Sequence, residues 1–160
     1  KDLAESGLPV NEIFTRANDK LCENNESGMF VTAWMGILDL TTGNVQFANA
    51  GHNPPLLKRT DGSFEYLKTR PGLVLAGMDG IQYRCGELTL QPGDRIFLYT
   101  DGVTYANDGN NRHYGERNLQ KIINQNKIEF AQVRYLGKVV SLISGDVWKS
   151  CLRGHCQRFL

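Results

Sequence analysis

The chain has 160 residues, of which 41% are hydrophobic and 22% are charged, and its formal net charge is +1. These values suit one compact domain. They exclude a strong overall field that would attract nucleic acid or an anionic membrane, and no apolar run approaches the ~18 residues that span a bilayer. Four cysteines without a disulfide-like spacing indicate a reducing compartment, so we expect a cytoplasmic protein. Because the sequence begins with Lys1 in a helical pattern, we also expect a fragment of a longer chain.

A helix is predicted first, over residues 3–24, because apolar side chains recur on one helical face. Short strands follow, in pairs joined by turns that contain glycine, asparagine or aspartate. The predicted strands cover residues 30–40, 45–50, 56–59, 64–67, 81–90 and 95–100. A short helix over residues 103–106 and a longer one over 116–126 come last. Strand pairs flanked by helices predict an α+β fold with antiparallel sheets.

The chain after residue 126 lacks a clear pattern. We therefore predict a domain over residues 1–126 and an atypical tail over residues 127–160, out of frame or poorly packed. The tail contains three side chains with metal-ligand chemistry, Cys151, His155 and Cys156. Zinc would need a fourth ligand and a defined fold around it, so a solvated tail is the simpler interpretation.

The most informative segment is the apolar run over residues 95–100, which stops at Asp101 and Gly102. A carboxylate is costly in the middle of a buried strand but can emerge at its end. Gly102 allows a close backbone approach or an unusual backbone angle. Because Mg²⁺ and Mn²⁺ prefer oxygen ligands, one interpretation is a metal site at Asp101 and Gly102. The other is that Asp101 only begins a turn or caps the next helix.

A second segment, residues 49–55, has the sequence Asn-Ala-Gly-His-Asn-Pro-Pro. The two prolines fix φ and make the exit of this loop rigid. His52 has the chemistry of a general acid or a metal ligand. A histidine in such a loop more often bonds the backbone and holds the loop. We therefore favour a structural role for Gly51, His52, Asn53 and Pro54.

Four segments then combine into a stronger signal: MFVTAWMGILDLTTG, FANAGHNPPLL, RPGLVLAGM and QPGDRIFLYTDGVT. In this order and at this spacing they resemble the SpoIIE/RsbU branch of the PP2C (PPM) metal-dependent serine phosphatases, over about residues 1–119. The resemblance implies an α-β-β-α sandwich of two antiparallel sheets with flanking helices, incomplete in this chain.

The resemblance also implies a chemistry. Aspartates at strand ends would bind two Mn²⁺ or Mg²⁺ ions, which activate a water to attack phosphoserine or phosphothreonine on a protein. Asp101, with Gly102 beside it, matches the family's metal aspartate, and the loop from Gly51 to Pro54 matches a signature near the site. The implied substrate is a regulatory protein such as an anti-anti-sigma factor, and a homodimer is kept open.

Some features of the family have no match in this sequence. Its early Gly-Gly-Asp motif and its late Asp-Asp-Ile-Thr motif, which supply further metal aspartates, are not found. Asp146 lacks a second acid beside it and is not assigned as a ligand. Tyr105 stands where the family commonly has an acidic residue. Because Asp101 is the one matched carboxylate, a catalytically inactive relative that binds a regulatory protein is the alternative to an active phosphatase.

Overall fold

The computed structural model describes residue 3 and residues 6–106, 113–125, 132–135 and 138–144. Its helices and strands are α1 Val10–Cys22, β1 Ala33–Leu38, β2 Asn44–Ala50, β3 Leu56–Lys58, β4 Phe64–Tyr66, β5 Gly86–Thr89, β6 Arg95–Leu98, α2 Asp101–Thr104, α3 Gly115–Gln125, β7 Gln132–Tyr135 and β8 Lys138–Ser144. The described residues form two compact units. The first contains the residues up to 52 and residues 69–90, and the second contains residues 53–68 and those from 91 onward.

The sheet of the first unit has the strand order β1-β2-β5, and both of its pairings are antiparallel. The turn between β1 and β2 requires Gly43, whose φ is +77°, because a Cβ at this position would collide with the carbonyl oxygen of Leu90. A hairpin turn sets the register of its strands. Trp34 consequently lies opposite Asn49 near the end of β2.

Helix α1 packs on this sheet through apolar side chains at helical spacing. The buried cluster contains Val10, Ile13, Phe14, Ala48, Ala50, Leu75 and Tyr83. One polar side chain of α1 is fully buried with them: Asn18 donates to the carbonyl of Met78 at 2.8 Å and accepts the N–H of Ala76 at 3.0 Å. Because buried polar groups need partners, these bonds fix the loop that follows Leu75 against the helix.

The sheet of the second unit has the order β4-β3-β6-β8-β7. Helix α3 packs against it in a second cluster of buried side chains, Leu56, Phe64, Phe97, Tyr99, Leu119 and Ile123. Polar side chains of α3 also bond the backbone of β4. Asn124 accepts the N–H of Phe64 at 2.7 Å, and Gln120 donates to its carbonyl at 2.9 Å. These bonds satisfy backbone groups of a strand at the sheet edge.

A buried carboxylate fixes the turn that precedes β6. Asp94 is 2% exposed and accepts hydrogen bonds from the Arg59 guanidinium at 2.6 Å, from the backbone N–H groups of Thr60 and Gln91 at 3.1 and 3.0 Å, and from the Thr60 hydroxyl at 3.5 Å. Charged and backbone donors together offset the cost of removing this charge from water. Asp94 is therefore a structural carboxylate, committed to its turn.

The predicted fold class is confirmed: helices flank two sheets, and the pairings between the described strands are antiparallel with one exception. Strands β6 and β8 are parallel, in a register that places Arg95 opposite Ser141. The strands β7 and β8 fall within the predicted tail over residues 127–160. The boundary at residue 126 stays a prediction.

Strand β5 begins at Gly86 and not at residue 81 as predicted. Helix α1 and strand β1 also begin later in the structure than the sequence pattern indicates. Helix α1 begins at Val10 and not at residue 3, because Gly7 has a left-handed backbone (φ +71°) and Pro9 occupies the N-cap. Strand β1 begins at Ala33, because the preceding Val31 pairs with Leu75 instead, through backbone bonds of 3.0 and 2.8 Å. In both cases the apolar pattern continues beyond the regular element.

Other predictions fall on residues that the structure does not describe. The cluster of Cys151, His155 and Cys156 lies outside the described residues, as does Asp146. Among the helices in the described part of the chain, none has the length and apolar character needed to cross a membrane.

Candidate functional site

Asp101 lies where burial ends, beyond the last residue of β6. Exposure is 2% for Ile96 and 1% for Tyr99, whereas Asp101 is exposed. Thr100 between them has an extended backbone (φ −103°, ψ 167°) and makes no side-chain cap bond. The sequence prediction placed Asp101 at a strand end, and two residues, Tyr99 and Thr100, separate it from the end of β6.

Backbone bonds and the Thr104 hydroxyl hold the turn that Asp101 begins. Its carbonyl accepts the N–H of Tyr105 at 2.7 Å and the hydroxyl of Thr104 at 3.2 Å, and the carbonyl of Thr100 accepts the N–H of Val103 at 3.1 Å. The structure shows no hydrogen bond or ion pair from the described residues to the Asp101 carboxylate. This side chain begins helix α2 without capping it, so the carboxylate faces solvent.

Gly102 is the second residue of α2, and its φ is not in the left-handed region. Gly102 therefore does not adopt the unusual backbone angle that was one of the two reasons to expect a glycine here. Close approach of a ligand to the backbone is the reason that remains.

The loop after β2 is held in a different way, by a side chain. Asn49 is 6% exposed; its Oδ1 accepts the N–H of His52 at 2.7 Å, and its Nδ2 donates to the carbonyl of His52 at 3.0 Å. Gly51 has φ +67°, and a Cβ there would lie 2.7 Å from Val74 Cγ1. His52 Nδ1 lies 3.2 Å from Thr32 Oγ1. These contacts support the structural interpretation of Gly51 and His52.

The remainder of that motif belongs to the second unit. Pro54 is half-buried, and Pro55 is fully buried with its carbonyl accepting the N–H of Leu67 at 2.8 Å.

Burial raises the pKa of the Tyr99 hydroxyl, with a small opposing contribution from the Asn53 side chain. No described residue makes a hydrogen bond of good geometry to this hydroxyl. Tyr99 therefore stays neutral and carries an unsatisfied polar group.

Sequence reasoning overlooked Asn49 and Tyr99. A polar Asn49 at the end of an alternating apolar strand could have been found, because a buried amide there needs backbone partners. Tyr99 stands within an apolar run, two residues before Asp101. A tyrosine in such a run indicates a buried hydroxyl that needs a hydrogen-bond partner, but no sequence signal shows that this partner is missing.

The donor set for a metal ion is small. No three His, Cys, Asp or Glu side chains converge among the residues that the structure describes. Asp101 alone would leave most of the coordination of Mn²⁺ or Mg²⁺ to water. The described residues thus do not make a two-metal centre by themselves, and further ligands would come from outside them.

Known proteins with similar sequences point to one family. The family model described as "Stage II sporulation protein E (SpoIIE)" matches residues 1–142. The chain is 30% identical to the phosphoserine phosphatase RsbU of Bacillus subtilis over 132 residues, which is 81% of this chain and 38% of RsbU. It is 30% identical to protein IcfG of Synechocystis over 104 residues, 65% of this chain and 16% of IcfG. The chain thus spans well under half the length of both relatives.

Solved structures agree with the fold. The RsbU and RsbW domains of Rv1364c from Mycobacterium tuberculosis match with a TM-score of 0.56 and 31% identity, over 64% of this chain and 28% of that one. The phosphatase domain of SpoIIE from Bacillus subtilis matches with a TM-score of 0.50 and 17% identity, over 79% of this chain and 55% of that one, which shows the fold alone. With its family match over residues 1–142 and this fold, the chain belongs to the SpoIIE family and carries a SpoIIE/RsbU-type PP2C phosphatase domain.

Proposed function

We propose that this chain is part of a metal-dependent phosphatase that hydrolyses phosphoserine on a regulatory protein, such as an anti-anti-sigma factor, in the cytoplasm. Membership of the SpoIIE family supports the reaction class, and the relative RsbU is named a phosphoserine phosphatase. The observation that carries the proposal is the exposed Asp101 carboxylate at the end of a buried strand, free of bonds to the described residues.

In this proposal Asp101 is a ligand of Mn²⁺ or Mg²⁺, and Gly102 permits close approach of that ion or of the substrate. The ion would supply an activated water and positive charge beside the phosphate. The chain itself contributes a turn whose backbone is already fixed, so that the carboxylate needs no bond to be broken before it binds. The loop from Gly51 to Pro54 contributes rigidity near the end of β2.

The test is hydrolysis of p-nitrophenyl phosphate and of a serine-phosphorylated protein, with and without Mn²⁺. We expect Mn²⁺-dependent turnover, and Asp101→Asn should lower it about a hundredfold, because a metal ion contributes several kcal/mol to the stabilisation of the transition state. The matched control is Asp61→Asn, which neutralises another exposed aspartate in a turn of the second unit. Equal losses in the two variants would contradict a specific role for Asp101.

The second candidate is a catalytically inactive relative that binds a regulatory protein. The small donor set among the described residues favours it, since one carboxylate binds such ions weakly. This candidate predicts binding of the phosphorylated protein without turnover at any Mn²⁺ concentration. Homodimer formation is a separate question that sedimentation of the chain answers.

A further inference from the structure

Two exposed rings meet beside the candidate site. Tyr105 is 64% exposed and contacts His113 edge to face, with ring centroids 5.2 Å apart and planes at 73°. His113 Nδ1 lies 3.3 Å from the carbonyl oxygen of Tyr105. A carbonyl only accepts, so Nδ1 is the donor in this bond. Exposed rings in such a defined arrangement are common in binding surfaces, where they offer contact area at low entropic cost.

The pair is next to Asp101 by the geometry of the helix. Tyr105 follows Asp101 by four residues, and its backbone continues the helical turn, with φ −88° and ψ −4°. Side chains four residues apart lie on the same face of a helix, roughly 5–6 Å apart at Cβ. The N–H bond from Tyr105 to the Asp101 carbonyl, 2.7 Å, fixes this relation.

A further backbone bond anchors the other side of the pair. The N–H of Tyr114 donates to the carbonyl of Ala106 at 2.7 Å, directly after the two ring residues in each segment. Tyr114 in turn accepts a bond from the Asn118 side chain of α3 at 2.6 Å through its carbonyl. His113 is thus connected to a packed helix, although its ring is exposed.

We propose that Tyr105 and His113 form the surface that contacts the peptide flanking the phosphoserine, while Asp101 serves the phosphate. This inference rests on the proposed function. An aromatic ring beside Asp101 offers apolar contact to a peptide without placing the negative charge of a carboxylate near the phosphate dianion.

The experiment measures binding by fluorescence anisotropy. The probe is a pool of short fluorescein-labelled peptides with one central phosphoserine and mixed flanking residues, added to the full chain without Mn²⁺ so that the phosphoester stays intact during the measurement. Tyr105→Ala and His113→Ala should each weaken binding about fivefold to tenfold, the size expected for one aromatic contact. Tyr105→Phe keeps the ring and should stay within about twofold of the unchanged chain. Phe30→Ala, which removes a ring of equal exposure (64%) from the first unit, is the matched control.

Each outcome bears on the inference. Weaker binding in both ring variants, with unchanged melting temperatures and unchanged binding by the Phe30 variant, supports it. Equal binding in all variants, an equal loss in Phe30→Ala, or no binding by the unchanged chain overturns it. Hydrolysis of p-nitrophenyl phosphate is measured in parallel. Absent hydrolysis with ring-dependent peptide binding would contradict the proposed phosphatase activity while leaving the peptide surface in place.

Discussion

The loop at Asn49–His52 and the turn at Asp101–Tyr105 are both short and both follow a buried strand, yet they are held by opposite means. In the loop, a buried side chain bonds the backbone, through the two hydrogen bonds between Asn49 and His52. In the turn, backbone N–H groups and the Thr104 hydroxyl donate to the carbonyls of Thr100 and Asp101, and the Asp101 carboxylate is left to solvent. Polar side chains that satisfy the backbone stabilise the fold, whereas those that do not are available to ligands. This difference separates structural from candidate functional residues in motifs that look equally informative in the sequence.

Within this loop and this turn, the largest expected effect on stability is at Gly51. Gly51→Ala should lower the free energy of unfolding by about 2 to 3 kcal/mol, because a left-handed backbone disfavours a side chain and the new Cβ would press on Val74. Gly80→Ala is the control, since Gly80 has a similar φ of +69° with no atom within 4 Å. It should show the backbone cost alone, about 1 kcal/mol. Urea unfolding measures both, and equal losses would show that the contact with Val74 does not matter.

Asn49→Ala comes next, at about 2 kcal/mol, because it removes both hydrogen bonds by which the buried Asn49 side chain holds the backbone of His52. Gln46→Ala removes another amide from the same strand, one whose Nε2 donates to the exposed Glu87 at 3.1 Å. That control should stay within about 0.5 kcal/mol. Similar losses for the two variants would mean that Asn49 does not hold the loop.

Tyr99→Phe should leave stability unchanged or raise it by up to about 1 kcal/mol, because it removes a buried hydroxyl that has no described partner. Tyr83→Phe is the matched comparison, because it removes a tyrosine hydroxyl that does have hydrogen-bond partners. Its hydroxyl donates at 3.3 Å to both Asn18 and Val74, so its loss should destabilise by about 1 kcal/mol. Thermal unfolding of the two variants shows whether each substitution raises or lowers stability. Destabilisation by Tyr99→Phe would indicate an unrecognised hydrogen-bond partner.

The same tyrosine predicts a dependence on alkaline pH. Burial raises the pKa of Tyr99 in the folded chain, so above the unfolded value of about 10 the folded state retains a proton that the unfolded state releases. The free energy of unfolding should therefore fall as the pH rises above about 10. In Tyr99→Phe this fall should be smaller. An identical fall in both proteins would contradict the assignment.

Asp101→Asn should have the smallest effect on stability, within about 0.5 kcal/mol, because the carboxylate makes no bond to the described residues. Asp94→Asn provides the contrast: its carboxylate is 2% exposed and bonded to Arg59, and its change should be strongly destabilising. Chemical denaturation compares the two. A large loss of stability in Asp101→Asn would mean that this aspartate belongs to the structural group.

The sequence was sufficient for the fold class and for the position of Asp101, because apolar periodicity and the end of a buried run are local signals. It was insufficient where contacts between residues far apart in sequence determine the structure. The pairing of Val31 with Leu75, which shortens β1, joins residues far apart in sequence. The parallel pairing of β6 with β8 is of the same kind. The edge-to-face contact of Tyr105 with His113 likewise joins two residues that no short motif pairs.

The most direct test of the account is a Mn²⁺ titration of the ¹⁵N-labelled chain, followed by paramagnetic broadening of its amide signals. A carboxylate left free by a turn that the backbone holds should bind the ion, so the signals of Asp101 to Tyr105 should broaden first, and Asp101→Asn should abolish this preference. Broadening spread evenly over the exposed aspartates, Asp61 included, or retained in Asp101→Asn, would contradict the assignment of Asp101 as a metal ligand.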